Sequence, residues 1–293
     1  MHTERVLVAD GVELAVDLWA PGAGDRDPAT EPRTPVPFVL AHGLASNARM
    51  WDGVAERRSV AGHPVATVDL RGHGRAAKPD GPYDVPTVAD DLIALIDALG
   101  FDHPIVAGQS WGGNVVVELG ARHPDALRGI ACVDGGWLEL QRQFPEWESC
   151  RAALAPPRLV GRPMAEVERY LRSAHPDWPE SGIQGTLANF ELRPDGTIAP
   201  WLTFDRHITV LRGLWEHHPF RLYPGLAVPV LLIPARNGED DRGADRQLAI
   251  DTALGRIPVA RARWIVGDHD IHAQHPTEVA GVLDEMAADG FFA

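Results

Sequence analysis

The stretch Ile105-Val106-Ala107-Gly108-Gln109-Ser110-Trp111-Gly112-Gly113 constrains the fold of this chain more than any other. A continuous apolar run is the pattern of a strand buried on both faces. Here the run stops at a serine with a glycine two residues before and two after. Small neighbours let a strand turn straight into a helix while the corner residue takes a strained conformation, and Gly-x-Ser-x-Gly fits such a corner. The segment from Asn114 to Leu119, mixed in polarity, reads as the helix that follows, ended by Gly120 and His123-Pro124.

The rest of the chain supplies a sheet for that corner. Phe38 to Ala41 runs into His42-Gly43-Leu44, and Val65 to Leu70 runs into Arg71-Gly72-His73-Gly74. Gly129 to Asp134, Val228 to Pro234 and Ala262 to Val266 are further buried runs. Two alternating runs within residues 5–20 surround Asp10-Gly11, a hairpin signal. Residues 21–37, rich in proline, glycine and charge, read as a surface connection. Thr87 to Leu99 reads as a helix with Val88, Leu92, Leu95, Ile96 and Leu99 on one face. Thr87 and Asp90 form a variant capping box there, and Gly100 is the stop. Helices are also expected around Gln247–Leu254 and Thr277–Ala287. Strands alternating with helices predict an α/β fold with a mostly parallel sheet and ligands at the carboxyl ends of its strands.

Residues 135–224 break this rhythm. They hold helix-like pieces at 163–173 and 204–217, and five of the nine tryptophans: Trp137, Trp147, Trp178, Trp201 and Trp215. The expected organisation is a core domain from 1–134 and 225–293 with a helical cap, 135–224, inserted into it. Trp137 and Trp215 are expected to line an apolar substrate pocket. The competing reading makes the tryptophans the cap's own small core.

A formal charge of −14 excludes a phosphate-backbone or anionic-membrane surface, so neither nucleic acid nor membrane is an expected partner. Cys132 and Cys150 make no disulfide framework or metal cluster, as expected of free thiols in a reducing compartment. There is no basic-then-apolar leader and no apolar run of membrane-spanning length, so a soluble, cytoplasmic protein is expected. No His-x-x-x-His, Cys-x-x-Cys or phosphate-cradling lysine loop is present, and neither metal nor cofactor is expected. Oligomeric state is not encoded in any of these features.

A serine hydroxyl attacks only when a histidine takes its proton and a carboxylate orients that histidine. The histidine candidates lie in Ile265 to Pro276, after the last expected strand. His42-Gly43, Asp69 to Gly74, Ser110, and Gly267-Asp268-His269 with Pro276 seven residues further on together resemble the α/β-hydrolase superfamily. The resemblance runs from about Val6 to the last helix and leaves only the cap unmatched. It implies the α/β-hydrolase fold, Ser110 as nucleophile, and His269 as base with His272 and His275 as nearby competitors. It also implies an oxyanion hole from the backbone N–H groups of Trp111 and Leu44, with His42 holding the Leu44 loop.

The acid departs from the commonest pattern of that superfamily. Most members carry it in a Gly-x-x-Asp loop after the seventh strand, where this chain has Gly238 within Arg236-Asn237-Gly238-Glu239-Asp240-Asp241. Haloalkane dehalogenases place it at the end of the sixth strand instead, which here is Asp134. Glu239 and Asp240 stand as alternatives, and either choice keeps the chain order serine, acid, histidine. Arg71 to Gly74 reads as a structural turn. The implied activity is cofactor-free serine hydrolysis of an ester, lactone or thioester on a small, apolar substrate. A serine at the elbow argues against dehalogenase or epoxide hydrolase chemistry, which uses aspartate there. Cleavage of a carbon–carbon bond, lyase or cyclase chemistry, and a ligand receptor with a vestigial triad are the other readings.

Overall fold

A computed structural model describes residues 1–8, 11–22, 35–236 and 243–292. The chain opens with the antiparallel pair β1 (His2–Leu7) and β2 (Glu13–Trp19). Asp10 of the hairpin signal and residues 23–34 of the proline-rich connection lie outside the described residues. Strands and helices then alternate: β3 (Phe38–Ala41), α1 (Asp52–Val60), β4 (Val65–Asp69), α2 (Val85–Leu99), β5 (Ile105–Gln109), α3 (Trp111–Arg122) and β6 (Gly129–Val133).

The start of α2 corrects the capping-box expectation. Asp84 is the N-cap, and its Oδ1 accepts both the Thr87 N–H and the Thr87 hydroxyl at 2.9 Å. Pro86 in the first turn lacks an N–H where none is needed.

Between β6 and the next sheet strand the chain adds α4 (Leu140–Gln143), α5 (Trp147–Leu154), α6 (Met164–Ala174), α7 (Glu180–Leu187), β7 (Phe190–Leu192), β8 (Ile198–Pro200), α8 (Phe204–Glu216) and α9 (Pro219–Leu222). Besides its helices, this insertion holds the antiparallel hairpin β7–β8. Its turn holds Asp195-Gly196, with Gly196 at φ +81°, a dipeptide suited to tight hairpins.

The chain returns with β9 (Val230–Ile233), β10 (Ala235–Arg236), α10 (Gly243–Arg256), β11 (Ala260–Ala262), β12 (Ile265–Val266), α11 (Ile271–Gln274) and α12 (Pro276–Ala288). The last expected strand, 262–266, is two pieces. β11 ends the main sheet beside β9, and β12 leaves it to pair with β10, in register Ala235↔Ile265.

The main sheet has eight strands in the order β1-β2-β4-β3-β5-β6-β9-β11, parallel from β4 onward. Because side chains alternate across a strand, the continuous apolar runs feed two cores. Val39, Val106, Ile130 and Leu232 pack under α2 and α3, while Phe38, Leu40, Ala107, Val133 and Ile233 pack under α1 and α12. β4 and β5 flank β3 on opposite sides, so winding reverses at β3 and opens a crevice beyond the carboxyl ends of β3 and β5. His42 and Ser110 are the first residues past those ends.

Candidate active site

Ser110 sits between β5 and α3 at φ +53°, ψ −120°, a conformation that disfavours any side chain. The neighbouring glycines explain how the chain tolerates it. A Cβ on Gly108 would lie 2.1 Å from the carbonyl oxygen of Gly112, and one on Gly112 would lie 2.4 Å from that of His42. The Ser110 N–H donates to Val133 O at 3.0 Å, and its carbonyl accepts from Gly113 N–H at 2.9 Å, which locks the corner to β6 and to the first turn of α3.

Asp134 follows β6 at φ +38° and is 3% exposed. Its Oδ1 accepts the Ala235 N–H at 3.0 Å, and its Oδ2 lies 2.6 Å from Nδ1 of His269. The short β10–β12 ladder places this pair: β10 presents the Ala235 N–H, and β12 leads into the loop that carries His269. Next along the chain, Gly135 abuts the corner so closely that a Cβ there would meet the Ser110 Cα at 2.6 Å. The Gln109 side chain donates to the His269 carbonyl at 3.1 Å, tying the histidine loop to the residue before Ser110. Ser110, Asp134 and the His269 loop are therefore gathered at one end of the sheet. Glu239 and Asp240, the alternative acids, lie outside the described residues.

The His269 imidazole is half-exposed. Burial of part of its ring pulls its pKa down, but the Asp134 hydrogen bond and the fields of Asp270 and Asp134 outweigh this and hold it above 6.5. The competitors are placed elsewhere. His272 is fully buried against the Trp51 ring, at 4.4 Å between centroids, and burial pushes its pKa down to about 3. His275 sits at the junction of α11 and α12.

His42 is buried, accepts the Leu70 N–H on Nε2 at 3.1 Å, and so carries its proton on Nδ1, 2.7 Å from Gly43 O. Burial lowers its pKa to about 4, so it is a neutral brace for the loop after β3. In that loop the turn bond runs from Ser46 N–H to Gly43 O, with Ala45 at φ +60°, and does not use the Leu44 N–H. Trp111, as the first residue of α3, has an N–H with no intrahelical acceptor, at the positive end of the helix dipole. Asp69 accepts from Ala48 N–H and Arg75, and Arg71 pairs with buried Asp91, Nη2 to Oδ1 at 2.6 Å. The Asp69 to Gly74 element is thus structural.

A cavity of about 500 Å³ lies between the insertion and the core. Ala45 and Ser46 form part of its core side, while Phe190, Trp201 and Phe204 supply aromatic wall. The two tryptophans expected at a substrate pocket are not among the residues that line this cavity. Trp137 is buried in the core, and Trp215 is committed within the insertion, its Nε1 donating to Phe144 O at 2.7 Å and its ring against Trp147. Neither lines the cavity, and Trp201 does.

Sequence reasoning also passed over Gln109 and Asn114. Asn114 accepts the Gly136 N–H at 3.1 Å and donates to Leu138 O at 2.8 Å, shaping the segment after Asp134. A polar residue facing inward from an otherwise apolar helix was the available signal for it.

The family model described as the α/β hydrolase fold matches residues 36–206. The chain is 26% identical to 2-(acetamidomethylene)succinate hydrolase of Mesorhizobium japonicum, over 75% of this chain and 74% of that one. It is 28% identical to esterase YbfF of Escherichia coli, over 86% of this chain and 93% of that one. The crystal structure of E-2-(acetamidomethylene)succinate hydrolase is similar with a TM-score of 0.77 at 22% identity, covering 98% of this chain and 99% of that one.

Proposed function

We propose that this chain, an enzyme that belongs to the α/β hydrolase fold family, is a cofactor-free serine hydrolase cleaving a carboxylic ester, lactone or thioester through an acyl-enzyme on Ser110. The observation that carries the reading is the 2.6 Å contact of His269 Nδ1 with Asp134 Oδ2, made beside a serine held at positive φ. The named activities of its relatives, an esterase and a hydrolase, favour the same reaction class.

In this mechanism Asp134 accepts the Nδ1 proton of His269, leaving Nε2 free to act as base. Ser110 Oγ attacks the substrate carbonyl as Nε2 takes its proton, and the oxyanion is held by the N–H groups of Leu44 and Trp111. The protonated Nε2 then gives its proton to the leaving group. Water, deprotonated by the same nitrogen, attacks the acyl-enzyme and frees Ser110. Residues 135–224 act as the cap over this site, and the substrate is a small molecule taken from solution. Among the described residues no helix is long and apolar enough to cross a membrane.

The test combines an activated acyl ester with a fluorophosphonate probe. Stoichiometric labelling and a burst of acyl-enzyme, both abolished in Ser110→Ala, are expected. Labelling without ester turnover would replace the reading with carbon–carbon or lyase chemistry, and no labelling would end it.

A further inference from the structure

The cavity between the insertion and the core inverts the charge of the chain that surrounds it. The protein carries 41 Asp and Glu against 27 Lys and Arg, yet among the described residues no carboxylate side chain lines the cavity, whereas Arg158 and Arg193 both do. Neither arginine is drawn off by an acid: among the described residues no carboxylate reaches ion-pair distance of either. Asp195, an electrostatic neighbour of Arg193, instead accepts the Thr197 N–H at 2.9 Å and its hydroxyl at 2.7 Å.

Arg158 is also held against the aromatic wall. The Arg158 guanidinium lies 4.4 Å from the Phe204 ring centroid, a contact that engages its face and not its N–H donors. A third cation, Lys78, lies 5.6 Å from the Trp201 ring, though its ammonium is spent on the carbonyls of Gly74 and Ala76 at 2.7 and 2.6 Å. It adds positive field without competing for a ligand.

At the other side the cavity meets the proposed oxyanion loop. Ala45 lines it, and Ala45 is two residues from Gly43, whose added Cβ would lie 3.1 Å from the Ser110 Cβ. Two residues of chain span at most about 7 Å. The apolar chamber with two arginines on its wall thus begins within a few residues' reach of Ser110.

We infer that the substrate carries an anionic group, a carboxylate or similar oxyanion, several bonds from the scissile carbonyl, and that Arg158 and Arg193 bind it across the aromatic wall. This rests on the serine-hydrolase reading and adds the class of substrate to it. A planar guanidinium pairs with a carboxylate through two parallel hydrogen bonds, which an ammonium or a neutral donor does not reproduce.

The test uses p-nitrophenyl hydrogen dicarboxylates from adipate to sebacate, each beside its primary-amide isostere. At the best chain length, kcat/KM for the acid is expected to exceed that for the amide about tenfold, the size of a charged hydrogen bond discounted for solvent exposure. The ratio should shrink as salt is raised, and should fall to near one in Arg158→Gln/Arg193→Gln. Native melting temperature and fluorophosphonate labelling of that variant show that it is folded. A ratio at or below one in the native enzyme, or a ratio unchanged in the double variant, overturns the inference. Calorimetry of monomethyl suberate against Ser110→Ala reads the same subsite without turnover. Binding there that needs both arginines supports the inference even where no ester is cleaved, and binding indifferent to them overturns it.

Discussion

Nδ1 of His269 lies 2.6 Å from Oδ2 of Asp134, and the other oxygen of the same carboxylate is held by the Ala235 N–H at 3.0 Å. One carboxylate thus bonds both the strand that follows β9 and the imidazole beyond β12. It fixes the orientation of the ring as well as its charge.

Asp134→Asn separates these two effects. Asparagine tolerates the positive φ that position 134 requires, so the backbone is expected to stay in place. The amide favours the wrong tautomer of His269, and kcat is expected to fall by about 10⁴, as when the acid of a serine triad is neutralised. Steady-state kinetics with phosphonate labelling checks this. Wild-type turnover in the variant would move the acid role elsewhere.

The pH profile follows from the same pair. His269 must be neutral to act as base, and its pKa stands above 6.5 because the Asp134 hydrogen bond and nearby negative charge outweigh burial. Activity is therefore expected to rise through an inflection above 6.5 as pH increases, and that inflection should move down in Asp134→Asn. Its effect on stability has the opposite sign: a raised folded pKa stabilises fully below 6.5, and that contribution is lost as pH rises through the folded value. Rate profiles and urea midpoints on the same samples would show the two trends running against each other.

Buried neutral histidines are expected to weaken the fold in acid. Burial lowers the pKa of His42 to about 4 and of His272 to about 3. Between pH 6.5 and those values the unfolded chain binds protons that the folded chain refuses, so stability falls as pH falls. The slope is up to about 1.4 kcal/mol per pH unit for each ring. His272→Leu, similar in volume and apolar against Trp51, is expected to flatten the decline between pH 6.5 and about 4. An equally steep decline in the variant would assign it to other groups.

The corner at Ser110 depends on close backbone approach. In Gly108→Ala the new methyl would meet the Gly112 carbonyl oxygen at 2.1 Å, and a loss of about 1–3 kcal/mol together with most activity is expected. Gly281→Ala in α12, where nothing lies within 4 Å of the added carbon, is the control and should stabilise by about 0.5–1 kcal/mol. Thermal melts of the two variants would differ in direction.

Much of the architecture was legible because it is written in local pattern. The buried runs at Phe38, Val65, Ile105, Gly129 and Val230 are strands, and the glycines around Ser110 announce a corner that only small residues permit. What was not legible had its signal outside the segment concerned. The last apolar run splits at Arg263-Trp264 because β12 finds its partner in β10, which no window around residue 265 reveals. Asp84 rather than Thr87 caps α2 because Pro86 fits the first turn, so the signal sat a few residues upstream of the apolar periodicity. Trp215 and Trp201 read alike in sequence, but Trp215 spends its indole N–H on Phe144 O while Trp201 faces the cavity.

By itself, then, the order of residues determined the central strands of the sheet, the strained corner at Ser110 and the class of fold, since these depend on burial periodicity and on steric room within a few residues. Only the tertiary structure decided that Asp134 meets His269 across 135 positions, that the Gln109 side chain holds the histidine loop, and which aromatic and cationic side chains wall the cavity. The first two come from β5, β6, β10 and β12 ending near one another, and the third from residues 156–207 folding over the loop after β3. A hydrogen bond a few ångströms long exists only where two distant backbones have already been brought together by packing.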